Sequence, residues 1–179
     1  CGFFISPTIH TNAATFAGGD GSVGAPYQIE NCIQLQNIKD YLTSNFILNN
    51  DINCYDTINW NNGSGFIQIG SWPTNVYTGI FNGQNHVIND LYISGGSTGL
   101  FGAVNGTVRN FGLNNIKVYS PSYAYLGTAV GTLLGGTVSQ IFATGEVTGV
   151  SYTGGIVGWH SAGQITDVYA HVKVSGLSS

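Results

Sequence analysis

Eight carboxylates, four lysines and arginines together, and four histidines are the acid-base groups of this 179-residue chain. Their spacing decides what chemistry they could support. A glycosidase needs two carboxyl groups about 6.5–9.5 Å apart, or about 5–5.5 Å for a retaining mechanism. Asp90 and Asp167 occupy equivalent positions of a repeat set out below, but lie three repeats apart, about 14 Å at the ~4.8 Å spacing of stacked strands. That is too far. A lyase would want clustered acids for Ca²⁺ and a Lys or Arg base, whereas Lys39, Arg109, Lys117 and Lys173 are scattered. His10, His86, His160 and His171 show no metal-ligand spacing. No Gly-x-Ser-x-Gly elbow occurs, and no glycine-rich segment leads into a helix with the Lys-Ser/Thr pair of a phosphate loop. The expectation is a chain without catalytic residues, metal or cofactor. Asp20, Asp51 and Asp56 are single acids in Asn- and Gly-rich loops and do not by themselves specify a Ca²⁺ site.

The aromatic side chains are the better candidates for recognition. Tyr92, Phe142 and Tyr169 fall on related outward positions, with Trp159, Tyr119, Tyr123 and Tyr125 in loops. Such a face could stack on sugar rings or dock a protein chain, or it could be a stabilising aromatic ladder. With 7% charged residues and a net charge of −4, there is no basic stripe for nucleic acid or an anionic membrane surface. No apolar run approaches the roughly 20 residues needed to cross a bilayer. The expected partners are a cell-surface glycan or protein, or copies of the chain itself.

Three cysteines are too few for a disulfide scaffold. Cys32 and Cys54 flank one helix-plus-strand segment and could close a loop worth roughly 3 kcal/mol. The alternative is a pair of buried thiols.

The elements that must position these residues are repetitive. The apolar pairs Leu100/Phe101, Ala129/Val130 and Ile156/Val157 are each closed by a glycine, Gly102, Gly131 and Gly158, at intervals of 29 and 27 residues. An apolar segment, a glycine-rich corner and a second apolar segment at that period mark a solenoid. Strict alternation follows the corner. Ile141, Ala143, Gly145 and Val147 face in, then Val168, Ala170, Val172 and Val174, which is the period of a half-buried strand. Aligning Ile88, Val108, Val138 and Ile165 gives a polar row of Asp90, Asn110, Gln140 and Asp167, expected to hydrogen-bond at the corners. The same register puts Phe142 over Tyr169 and forms a row of alternating sign, Lys117, Glu146 and Lys173.

Upstream, Pro26 to Ile29 reads as a short strand. Asn31 is a candidate N-cap, with Leu35, Ile38 and Leu42 on one face of a three-turn helix ending at Leu42. A solenoid's first coil has an apolar end and unpaired edges, and this helix is the expected cap. Residues 1–17 read either as the remnant of a signal peptide or as an N-terminal strand. Residues 18–179 read as one β-helix domain, with a capping region over 18–65 and coils over 66–179. The segment TGVSY (Thr148 to Tyr152) recurs as SGLSS (Ser175 to Ser179), which predicts at least one further coil in the parent protein and a truncated C-terminal end.

The glycine and apolar units, followed by Gly-Thr-Val or Gly-Gln-Ile, resemble the GLUG-repeat proteins of bacterial and archaeal surfaces and secretions. PYQI, QLQNI, NNDINC, FIQIG and GIFNGQNHVINDLYI are similar to the segment that precedes such repeats. The likeness covers roughly Gly18 to Ser179. It departs at Asn82-Gly83-Gln84-Asn85-His86, where family members often carry Asp-Gly-x-Gly-His, and at the weak middle unit GTAVG. The resemblance implies an all-β, right-handed parallel β-helix, extracellular or on the cell surface, and no particular ligand. The expected function is a non-catalytic structural or adhesive module. A carbohydrate-binding or carbohydrate-cleaving β-helix and a self-assembling fibre subunit are the alternatives.

Overall fold

A computed structural model of the chain describes residues 15–95, 98–122 and 125–176. The expectations for residues 1–14, for Tyr123 and for the edge at Ser179 lie outside the described residues. Parallel strands wind into a β-solenoid with two stacked faces. The larger sheet contains β1 (Tyr27–Ile29), β2 (Phe46–Leu48), β3 (Ile52–Asn53), β4 (Ile80–Asn89), β5 (Tyr92–Ser94), β7 (Thr107–Ser120), β9 (Thr137–Gly149) and β11 (Gln164–Gly176). The smaller contains β6 (Phe101–Val104), β8 (Val130–Leu133) and β10 (Val157–His160). The three repeat units are thus the arches β6–β7, β8–β9 and β10–β11. The weak copy GTAVG is a regular member, since β8 pairs with both β6 and β10.

The alternating residues form the predicted ladder. Val108, Val138 and Ile165 are in register, as are Phe142 with Tyr169 and Lys117 with Glu146 and Lys173. One alignment needs correction. Phe81, not Ile88, lies beside Val108, and Ile88 lies beside Leu113. The coil of β4 spends three residues, Gly83 to Asn85, where β7 spends only Asn110, so an alignment through Ile88 slides along the strand. Asp90 therefore leaves the row of Asn110, Gln140 and Asp167 and belongs to the next corner.

The corners explain the residue types. Asn110, Gln140 and Asp167 all take a left-handed conformation, with φ of 58°, 53° and 53°, and let each long strand bend without ending. Asn and Asp adopt that region at less cost than most residues, because a short polar side chain can bond locally. Asp90 and Asn115 repeat the device at the second bend, with φ of 57° and 55°. Side-chain amide bonds run between coils at the bends. Asn110 donates to Asn82 at 3.0 Å, Asn114 to Asn89 at 3.0 Å, and Asn115 to Asp90 at 2.7 Å. At the turn between sheets, a Cβ on Gly136 would come within 1.9 Å of the Gly106 carbonyl oxygen. That close approach is what requires glycine there.

The interior is filled from the ladder. Phe81, Phe101, Phe111, Leu113, Val108, Val138 and Ile141 are buried, and Phe81 stacks edge-on against Phe101 and Phe111 at 5.4 and 5.3 Å. Tyr77 is also fully buried, its hydroxyl donating to the Ser44 carbonyl at 3.1 Å, and burial pushes its pKa far up.

Two devices close the N-terminal end. Residues 17 and 18 pair antiparallel with Gln28 on the outer edge of β1. Helix α1 (Cys32–Asn37) meets the segment at Ile67, two residues before Ile69 bridges to Phe101 of the smaller sheet. Asn31 caps it by accepting from the Gln34 N–H at 3.0 Å. The helix is shorter than the three turns expected, passing into a 3-10 turn at Ile38–Asp40; Leu42 lies beyond it. Gln36 then acts as a surrogate strand. Its amide donates to the Ile67 carbonyl and accepts from the Ile67 N–H, both at 2.7 Å, so that these backbone groups are paired.

Candidate binding groove

Beyond the second bend, the large sheet turns one strip of its outer face toward solvent. Period two places Tyr92 and Ser94 of β5, Lys117 and Tyr119 of β7, and Glu146 and Thr148 of β9 on that face, while Ile93, Val118 and Val147 between them are buried. Adjacent strands bring Tyr92 beside Lys117 and Lys117 beside Glu146, and in the second row Ser94 beside Tyr119 and Tyr119 beside Thr148. The Lys117 ammonium lies 3.8 Å from the Glu146 carboxylate, with both side chains about half exposed. A pair so wet is worth under about 1 kcal/mol, so both groups keep free hydrogen-bonding capacity.

The wall of this strip comes from the segment Tyr55–Gly63, an irregular run of 3-10 turns. Asn61 and Asn62 there are left-handed, at 51° and 56°, and asparagine again tolerates the region. Three sets of links fix the wall. The Cys32–Cys54 disulfide forms and ties the residue just before the wall to α1. Thr57 donates to the Cys54 carbonyl at 2.6 Å and accepts from the Tyr92 N–H at 3.0 Å. At the far end Asn61 donates to the Gly65 carbonyl at 2.7 Å, and Phe66 N–H donates to Tyr92 at 2.8 Å. Between wall and sheet lie two adjoining hollows of about 100 and 440 Å³ that share Ile58, Tyr92 and Lys117. Tyr55, Ile58 and Tyr119 are exposed there at 66%, 48% and 39%.

The residues singled out from sequence divide between this groove and other places. Tyr92 is in the groove, so it does not share a row with Phe142 and Tyr169; the slip through Ile88 is the cause. Phe142 and Tyr169 are neighbours on the preceding facet, both exposed, and the Phe142 ring sits where a Cβ on Gly112 would be, at 2.1 Å. Trp159 is in β10 on the smaller sheet and stacks on Tyr125 at 4.7 Å, remote in register from the others. Tyr119 is a strand residue rather than a loop residue. The polar row Asn110, Gln140 and Asp167 marks a bend. Sequence reading found the Lys117–Glu146–Lys173 row but missed the groove, because its wall is an Asn-rich loop with no periodicity to announce it.

At another corner, the Asp51 carboxylate accepts from the Val87 N–H at 2.9 Å and contacts His86 Nδ1 at 3.1 Å, and these bonds hold its pKa below the ordinary value of 3.8. Among the described residues no three His, Cys, Asp or Glu side chains converge as a metal-holding group. No helix among them is long and apolar enough to cross a membrane.

No family model matches the chain. Over 150 residues, 78% of its length, it is 34% identical to Halomucin of Haloquadratum walsbyi. It is 35% identical over 109 residues, 57% of its length, to a protein of Evansella cellulosilytica provisionally named a Gly-rich membrane protein. The chain spans 2% and 12% of these relatives. Among solved structures it is similar to a β-helix protein of Bacteroides ovatus provisionally named an immunoglobulin A1 protease. That likeness has a TM-score of 0.70 and 27% identity, and covers 89% of this chain and 48% of that one.

Proposed function

We propose that the chain is a non-catalytic structural or adhesive module of a secreted or cell-surface protein, a stack of GLUG-type coils that holds a recognition surface in a fixed orientation. The observation that carries this reading is the parallel pairing that runs from β4 through β7 and β9 to β11, shifting register only at the bends. Every coil presents the same facets to its neighbours, so the stack is a rigid frame on which exposed residues line up in rows. The names of the relatives, a halomucin and a Gly-rich membrane protein, fit a surface setting. The share of those relatives that the chain spans fits a module within a larger protein.

The Bacteroides ovatus neighbour raises the rival reading of a protease. Incubating the chain with immunoglobulin A1 and with a panel of polysaccharides separates the two. The module reading expects no cleavage products at stoichiometric protein. Sustained product release, abolished by Glu146→Gln or Asp90→Asn, would overturn it.

A further inference from the structure

The groove lies between the Tyr55–Gly63 wall and the outer face of β5, β7 and β9. Its floor is the face of a sheet whose N–H and C=O groups are already spent in the ladder. A peptide strand laid there would find no backbone partners, which removes the main source of affinity in strand addition. Nor does the charge suit a polyanion. Within the groove Lys117 stands against Glu146 and Asp90, and the chain carries a net −4.

What remains is a surface of two kinds. Tyr55, Tyr92 and Tyr119 offer aromatic faces and Ile58 an aliphatic one, while Asn115, Lys117, Glu146 and Thr148 supply both donors and acceptors between them. Tyr92 and Tyr119 are offset by one strand and two residues, about 8 Å apart along the floor. A pyranose ring has matching surfaces, a C–H face for an aromatic ring and an equatorial rim of hydroxyls that both donate and accept. The two hollows adjoin through Ile58, Tyr92 and Lys117, which line both.

We propose that this groove binds a neutral polysaccharide, with Tyr55, Tyr92 and Tyr119 as stacking platforms and Lys117 and Glu146 as hydroxyl partners. This rests on the reading of the chain as a non-catalytic module and names what that module recognises. The disulfide gives the wall its position in advance, so little ordering is left to oppose binding.

The test is isothermal titration of the intact chain with cellohexaose, xylohexaose, mannohexaose and chitohexaose, and with a hexagalacturonate as charged comparator, the ligand being recovered and sized afterwards. The expected result is binding of at least one neutral hexamer. Tyr55→Ala and Tyr119→Ala, both at exposed positions, should weaken it about ten-fold each, with circular dichroism unchanged and Trp159→Ala without effect. Failure of every neutral hexamer to bind, preference for the uronate, or binding indifferent to both tyrosines would overturn the groove assignment and leave the module reading standing. Shortened ligand in the recovered material would overturn the module reading instead.

Discussion

At the scale of single residues, the chain's asparagines, aspartates and glutamines are chosen as much for backbone conformation as for their side chains. The row Asn110, Gln140 and Asp167 was legible in the sequence as a set of polar residues at corners. Its cause was not, because hydrogen bonding and a left-handed backbone favour the same residue types. Gln140 separates them. It sits at φ 53° without the short side chain that eases Asn and Asp into that region. Gln140→Val, which adds a β-branch to a left-handed position, should cost about 1–2 kcal/mol in chemical denaturation, against little change for Gln140→Asn. Asp51 provides a second case. Its folded pKa is lowered by the Val87 N–H and by His86, so its contribution to stability is present above the ordinary 3.8 and is lost as pH falls through the folded value. Asp51→Ala should melt below the parent at neutral pH, and the difference should close on acidification below that window.

At the scale of elements, the strands from β7 onward could be read from sequence with their register, because period two with one buried face admits a single phase. The coil of β4 could not, since an insertion of two residues at a corner leaves the alternation intact on both sides while shifting everything that follows. An alignment through Ile88 therefore places Asp90 and Tyr92 in rows they do not occupy. The capping helix was legible from its N-cap and apolar spacing. Its work through Gln36 was not, because nothing in an amide's sequence context says which backbone it will meet. The Tyr55–Gly63 wall, lacking periodicity, depends on Cys32–Cys54 and Thr57 for its position. Replacing both cysteines by serine should lower stability by roughly 3 kcal/mol, the loop-closure contribution, and should broaden the amide resonances of the wall while leaving those of β7 and β9 sharp.

On the scale of the whole molecule, the solenoid converts a repeated sequence into facets on which residues distant in the chain become neighbours, Tyr92, Lys117 and Glu146 among them. The proposed recognition surface is the facet beyond the second bend, where the irregular Tyr55–Gly63 segment meets a regular sheet. That a stacked frame displays a binding surface without chemistry of its own is therefore tested most directly by one NMR titration, in which amide shifts are followed as a neutral hexasaccharide is added and the sugar is then recovered. We predict shifts confined to the Tyr55–Gly63 wall and to residues around Tyr92, Tyr119 and Thr148, with the hexamer returned at full length. Shifts centred instead on Phe142 and Tyr169 or on Trp159, no shifts at all, or a shortened sugar would contradict the account.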